Sequence, residues 1–236
     1  MSEWNWPPGV KPGCLPRKTA FGHCKGIPAF RDVIEVIPEK DWPDLVGTIS
    51  LKPRVKTILD QDGVGSCATE STTQAVMVCR SWAGLEHVLL NPWSIYWYTS
   101  GGRDSGSSID DNLAYILEHG ICPESVWPRS KGWRAEPSDE AKQAALAYRA
   151  LEIFDIATRA EFATALFLGM AVVYGRAGHS ILGVEMTSVS RFDAAGSWGT
   201  EGAGGTVDGY HLGETLNGIN WGYGAFALRA VTLTEP

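Results

Sequence analysis

Gln61-Asp-Gly-Val-Gly-Ser-Cys67 is the most informative segment of the sequence. It precedes a helix that the residue pattern predicts from Ser66 or Cys67 to about Trp82. A thiol in the first turn of a helix faces the positive end of the helix dipole, which favours the thiolate. The free N–H groups of that turn can also bind a developing oxyanion. The segment predicts a nucleophilic Cys67, and a buried, inert cysteine is the alternative when the segment is taken alone.

The order of elements outward from this helix indicates the fold class. Helices are predicted first, at residues 91–98, 108–120 and 139–149. A strand (151–157), a capped helix (158–169) and a series of strands follow, among them residues 170–176 and 180–186. Helices followed by strands favour an α+β fold with two lobes, a helical lobe at about 60–150 and a β lobe at about 151–236. A cleft between the lobes is then the expected site.

Residues 1–47 differ in composition from the rest of the chain. Residues 1–50 hold seven of the 13 prolines and show no sustained periodicity. We therefore predict an N-terminal arm at 1–47 and one two-lobed domain at 48–236. The arm is expected to dock on the body of the protein or on a protein partner.

Charge and hydropathy exclude several functions. The net charge is −7 and the basic clusters are short, so a nucleic-acid partner is not expected. No run is long and apolar enough for a membrane span, and residues 1–20 lack a signal-peptide pattern. Five cysteines are too few for a disulfide scaffold and favour a reducing, cytoplasmic location. Cys14, His23 and Cys24 fit no structural zinc spacing, so neither a metal nor a cofactor is expected.

Several motifs together resemble the papain-like cysteine peptidases. Gln61, Gly65, Ser66 and Cys67 match the family's first motif. The later matches, in the family's order, are Leu90-Asn91-Pro92, Gly178-His179-Ser180-Ile181, Ser197-Trp198-Gly199 and Trp221-Gly222. The segments at 104–109 and 120–124 look like those of compact bacterial and phage members. The resemblance covers about residues 48–230. It implies a papain-like two-lobed fold, with an N-terminal helical lobe, a C-terminal antiparallel β lobe and the active-site cleft between them.

The resemblance also implies roles for individual residues. Cys67 would attack a peptide carbonyl and form an acyl-enzyme, with His179 as its acid–base partner. The side chain of Gln61 and the Cys67 backbone N–H would form the oxyanion hole. Trp198 would shield the histidine from water. The wall that binds an extended peptide substrate would include Gly106 and Ser107.

The sequence departs from the family pattern beside the histidine. The family has an asparagine before Ser197 that orients the histidine ring, and this chain has Gly196. Asn217 and Asn220 are candidate replacements if the insertion at 201–216 folds back. Glu70, one turn after the nucleophile, would oppose a thiolate if it faced the cleft. The remaining histidines are predicted at a helix end or in surface and loop positions: His119, His23, His87 and His211.

Two functions remain in competition at this point. The first is a cysteine endopeptidase that hydrolyses peptides or proteins through Cys67 and His179. The second is a catalytically impaired papain-like module with a structural or binding role, such as a phage virion or assembly protein. The location would be cytoplasmic, or the virion if the chain is phage-encoded.

Overall fold

The computed structural model describes residues 11–233. Residues 1–10 of the predicted arm and residues 234–236 lie outside the described residues. The helices are α1 (Trp42–Leu45), α2 (Cys67–Trp82), α3 (Trp93–Thr99), α4 (Ile109–His119), α5 (Asp139–Ala145) and α6 (Arg159–Phe167). The strands are β1 (Cys14–Leu15), β2 (Ser107–Ser108), β3 (Ala150–Ile156), β4 (Ala171–Arg176), β5 (His179–Met186), β6 (Arg191–Ala195), β7 (Tyr210–Thr215) and β8 (Ala225–Val231).

Six of the strands form one antiparallel sheet in the order β3-β8-β4-β5-β6-β7. Side chains along each strand alternate between its two faces, as strand geometry requires. On β4, Ala171 and Val173 enter one core, whereas Val172 and Tyr174 enter the other. The first core lies between the sheet and the helical lobe. The second is covered by α6 and by part of the arm.

Helix α2 lies at the centre of the molecule. Every residue from Cys67 to Ser81 is buried, because β4, β5, β8, α3 and α4 all pack against the helix. Only Trp82 at its end is exposed. The sequence pattern had suggested a single apolar face. The remaining polar side chains are buried too, and several bond to backbone carbonyls one turn earlier, as Thr72 does to Ala68.

Part of the predicted arm belongs to the folded body. Phe30 and Trp42 are buried in the second core, against Phe154 and Phe167 respectively. Nearer the N-terminus, Arg17 forms a two-pronged ion pair with the fully buried Asp155 on β3. Breaking such a buried pair costs several kcal/mol, so the arm is fixed to the β lobe from this point on.

Local signals in the sequence account for most element boundaries. Ser108 caps α4 by accepting the Asp111 N–H, and Thr158 and Glu161 form the predicted capping box of α6. The predicted helix at 139–149 continues past α5 only as a 3-10 turn at Leu146–Tyr148. Among residues 11–233, no helix has the length and apolar character needed to cross a membrane.

Candidate active site

Cys67 lies at the first residue of α2, as the glycine-containing segment before it predicts. Gly65 donates its N–H to Asp104, which holds the loop that leads into the helix. Ser66 is the N-cap residue, but its hydroxyl makes no cap bond and donates to Glu70 instead. The N–H groups of Ala68, Gly13 and Ser180 all point at the Cys67 sulfur.

His179 is the first residue of β5 and follows a tight hairpin turn from β4. The two turn residues, Ala177 and Gly178, have φ of 48° and 81°, the left-handed conformation that a two-residue hairpin requires. Arg176 pairs with His179 across the hairpin. The turn therefore places the His179 ring in the interior, where it is fully buried.

A buried hydroxyl pair joins the helix of the cysteine to the strand of the histidine. Ser71 Oγ, one turn after Cys67, lies 2.7 Å from Ser180 Oγ. The Ser180 N–H also points at the cysteine sulfur. Cys67 and the residue next to His179 are therefore in direct contact, although 112 positions separate Cys67 from His179 in the sequence.

Gln61 and Trp198 form one network beside the histidine. Trp198 stacks on His179, with the ring centroids 4.5 Å apart and the planes 17° from parallel. Its indole N–H donates to Gln61 Oε1, which also accepts the Ser197 hydroxyl. These two hydrogen bonds fix the orientation of the Gln61 amide, whose Nε2 donates to Val64 O at 2.6 Å. The same nitrogen lies 3.5 Å from a carbonyl oxygen of the arm, that of Lys11.

The arm fills the cleft beside Cys67. The Ser107 N–H donates to Gly13 O, and the Cys14 N–H donates to Gly178 O, each at 2.9 Å. The first bond ties the arm to the helical wall and the second ties it to the β wall. Gly13 is so close to the helical wall that a Cβ on it would lie 2.1 Å from Gly65 O. Only glycine at position 13 therefore allows the arm to lie this close to Gly65.

Gly106 and Ser107, predicted to bind substrate, bind the arm. Strand β1 of the arm adds to β2 in parallel, with Cys14 opposite Ser107. Gly106 has φ of +83° and a Cβ on it would lie 2.5 Å from Gly13 O. This wall therefore accepts an extended peptide backbone at close range, the edge-addition mode of peptide recognition.

Burial shifts the pKa values of the two central groups toward their neutral forms. Desolvation raises the pKa of Cys67 to about 12, although three backbone N–H groups oppose the shift. Desolvation also holds the pKa of His179 well below its usual range. The sequence pattern had predicted a thiolate from the helix dipole. In the closed structure, burial instead favours the neutral thiol and the neutral imidazole.

Comparison with solved structures identifies the architecture. Xylellain, a cysteine protease from Xylella fastidiosa, matches with a TM-score of 0.70 at 18% identity, over 98% of this chain and 99% of that one. The digestive procathepsin L 3 of Tenebrio molitor larval midgut matches with a TM-score of 0.64 at 15% identity, over 95% of this chain and 75% of that one. The fold is that of the papain-like cysteine proteases. A third papain-like structure, the Carica candamarcensis protease CMS1MS2 in complex with E-64, matches with a TM-score of 0.55 at 18% identity, over 76% and 96% of the two chains. No family model and no curated protein sequence matches the chain.

Glu70 is buried in the first turn of α2, three residues after Cys67. The carboxyl group is fully buried, accepts the Ser66 hydroxyl at 3.0 Å and pairs with Arg129 at 3.2 Å. Burial raises its pKa to about 8, against the opposing effect of Arg129. The charge of Glu70 raises the pKa of Cys67, but less than burial does.

The two predicted orienting asparagines make contacts elsewhere. Asn217 is exposed and accepts a hydrogen bond from Arg159 at 3.0 Å. Asn220 is also exposed, and its side chain accepts the Gly222 N–H. Neither set of contacts supports a role in orienting His179.

The insertion at 201–216 does fold back over the site, and it brings a different residue. Strand β7 pairs with β6 so that His211 lies opposite Ala194. His211 was expected at a surface or loop position, but it is buried and its ring contacts Trp198 and His179. The sequence offers one sign of this placement of His211, namely that the insertion after Gly196 contains a histidine. Gln74, equally unforeseen, donates to the Gly196 carbonyl at 2.9 Å and supports this loop from α2.

Proposed function

We propose that the protein is a cysteine peptidase whose own arm covers the cleft. The observation that carries the proposal is the convergence of four predicted residues from separate parts of the chain: Cys67, Gln61, His179 and Trp198. A purely structural chain has no physical need to bury a cysteine and a histidine at one cleft beside an amide donor. Compact bacterial or phage peptidases are the members that the sequence resembles.

The proposed reaction follows from the chemistry of these groups. The Cys67 sulfur attacks a peptide carbonyl carbon while His179 holds the thiol proton. Gln61 Nε2 and the Cys67 N–H stabilise the oxyanion, each donor contributing roughly 3 kcal/mol. The C–N bond breaks as His179 protonates the leaving amine. Water, deprotonated by His179, then attacks the thioester, releasing a carboxylic acid and restoring the thiol.

In this proposal the bound arm acts as an inhibitor rather than as a substrate. The Gly13 N–H, a donor, points at the sulfur, and the Gly13 carbonyl oxygen is held by Ser107 on the wall. A nucleophile needs a carbonyl carbon in front of it, so this backbone position is not poised for attack. Opening of the arm is therefore the first step of the proposed catalytic cycle, and it restores water to Cys67 and His179.

The second candidate, an impaired binding module, is favoured by two observations. The cleft is already filled by the chain itself, and Gly196 stands where the family has its asparagine. In that case the arm segment would be a permanent part of the fold. A protein partner for the arm and a cytoplasmic or virion location stay predictions from the sequence.

Alkylation of the thiols separates the two functions. The full chain is treated near pH 6 with iodoacetamide, or with a peptidyl epoxide of the E-64 type, and the labelled residue is identified by mass. A peptidase labels at Cys67 first, His179→Ala abolishes that selectivity, and a fluorogenic peptide is hydrolysed only by the unmodified protein. Labelling of Cys67 no faster than Cys14, and unaffected by His179→Ala, contradicts the proposal and supports the binding module.

A further inference from the structure

The position left open by Gly196 is filled by an imidazole. A Cβ built on Gly196 would lie 3.0 Å from His211 Nε2 and 3.4 Å from its Cδ2. It would also lie 3.2 Å from Gly209 O. Gly196 has an ordinary φ, so its conformation does not require glycine. A Cβ there would instead press on the His211 ring and on Gly209 O, which would have to give by a few tenths of an ångström. The two residues are therefore coupled, because a side chain at position 196 would extend toward the space that the His211 ring occupies.

The His211 ring occupies a defined position relative to the candidate acid–base residue. Its centroid lies 6.3 Å from that of His179, with the planes 69° apart. It also packs edge-on against Trp198 at 5.3 Å, the same indole that stacks on His179. This centroid separation is too long for a direct hydrogen bond between the ring nitrogens, but it is within the span of one bridging water.

Backbone pairing fixes the position of His211 in the sheet. Pairing of β6 with β7 sets the register at Ala194 and His211, and the Gly196 N–H donates to Gly209 O at 2.9 Å. Burial and the nearby Arg176 lower the pKa of His211 to about 4. The ring is therefore neutral near pH 7 and offers one donor and one acceptor, as an asparagine amide does.

We propose that His211 is the positioning residue for His179, in the place that the family's asparagine would take at Gly196. This inference rests on the proposed peptidase function. His211 replaces Asn217 and Asn220 as the candidate for this role. The inference also accounts for Gly196, because a glycine there leaves room for the His211 ring that takes over the role of the asparagine.

A double substitution in the full chain can restore the family's asparagine at position 196 and remove the His211 ring. Gly196→Asn alone introduces a side chain against the His211 ring and lowers kcat/KM. The double variant Gly196→Asn with His211→Ala provides both the amide and the space for it. We expect it to recover to within about tenfold of the wild type, whereas each single variant loses about 30-fold or more, mainly in kcat. A double variant no better than the product of the two singles overturns the inference.

A matched pair at position 211 distinguishes positioning from packing. His211→Gln keeps a polar group near Nε2, and His211→Leu fills similar space without one. We expect His211→Gln to stay within about fivefold of wild-type kcat/KM and His211→Leu to lose about 30-fold at similar thermal stability. Equal activity of the two variants overturns the inference, because a packing role would move only stability.

A measurement without substrate separates this inference from the proposed function. The ¹⁵N chemical shifts of the His179 ring report its tautomer and its titration. His211→Leu should change the tautomer populations or the pKa of His179, and His211→Gln should preserve them. Unchanged His179 shifts in His211→Leu overturn the positioning role even if peptides are cleaved. Changed shifts in a protein that cleaves no peptide support the role while the peptidase function fails.

Discussion

Substitution of Gly13 should open the cleft without disturbing the rest of the fold. A Cβ at this position would lie 2.1 Å from Gly65 O and 2.3 Å from the adjoining carbonyl carbon, atoms of a rigid loop that leads into α2. Gly13 does not have a positive φ, so Gly13→Val is compatible with the local backbone. The valine side chain therefore prevents only the approach of the arm to Gly65. The segment before Arg17 should therefore leave the cleft, while the Arg17–Asp155 pair holds the remainder in place.

The size of the effect follows from the contacts that are lost. Two backbone hydrogen bonds, from Ser107 to Gly13 and from Cys14 to Gly178, contribute roughly 1 kcal/mol each. The exposed ion pair of Lys11 with Asp104 adds little. The closed arm is therefore favoured by at least about 2 kcal/mol, because the burial of Cys14 and the contacts of Gly13 with Cys67 and of Lys11 with Gln61 add to this sum. This corresponds to an excess of the closed form of about 30-fold or more. We expect Gly13→Val to alkylate at Cys67 faster than the wild type by about 30-fold or more.

The assay is the rate of iodoacetamide labelling at Cys67, followed by intact mass near pH 6. Pro16→Val, at an exposed position of the same segment, is the control and should label at the wild-type rate. Circular dichroism establishes that both variants keep the fold. If Gly13→Val is folded and labels at the same rate as the wild type, the arm does not control access to the cysteine.

Three further outcomes are expected. Gly106→Ala should raise iodoacetamide labelling of Cys67, because its Cβ would displace Gly13 of the arm, but should not raise labelling by a peptidyl epoxide, whose backbone the same Cβ would obstruct; equal effects on both reagents would contradict this. Gln61→Ala should lower kcat for a fluorogenic peptide about 100-fold, through loss of one oxyanion donor, with little change in iodoacetamide labelling, which forms no oxyanion. Glu70 has a pKa of about 8 when folded against an ordinary 4.5, so its contribution to stability is full below pH 4.5 and is lost as pH rises through 8. Urea unfolding from pH 5 to 9 should show that Glu70→Gln removes this decline, of about 4 kcal/mol, and an unchanged slope would contradict the assignment.

The sequence predicts the fold well where local signals and long-range pattern agree. Cys67 at a helix start and His179 at a strand start follow from glycine-rich turns, whose geometry is local. The capping box at Thr158 and the stop at Gly120 are also local, and both are present in the structure. The two-lobed α+β architecture follows from the order of these elements.

Other parts of the site depend on packing that no short segment encodes. The location of the arm in the cleft requires Gly13, Gly65 and Gly106 to meet, and each glycine alone resembles an ordinary loop residue. The burial of His211 depends on the register between β6 and β7, which contains an irregularity between Phe192 and Ala194. A shift of one residue would turn its ring to the opposite face of the sheet.

The central position of α2 has a consequence for how the protein is made. The helix is synthesised early, yet it packs on β8, and Cys79 reaches the carbonyl of Leu228, 149 residues later. Contacts over such sequence separations close slowly, because the intervening chain must first be ordered. The surroundings of α2, the helix that begins at Cys67, are therefore incomplete until β8 has been synthesised, although the arm and His179 both precede that strand in the chain.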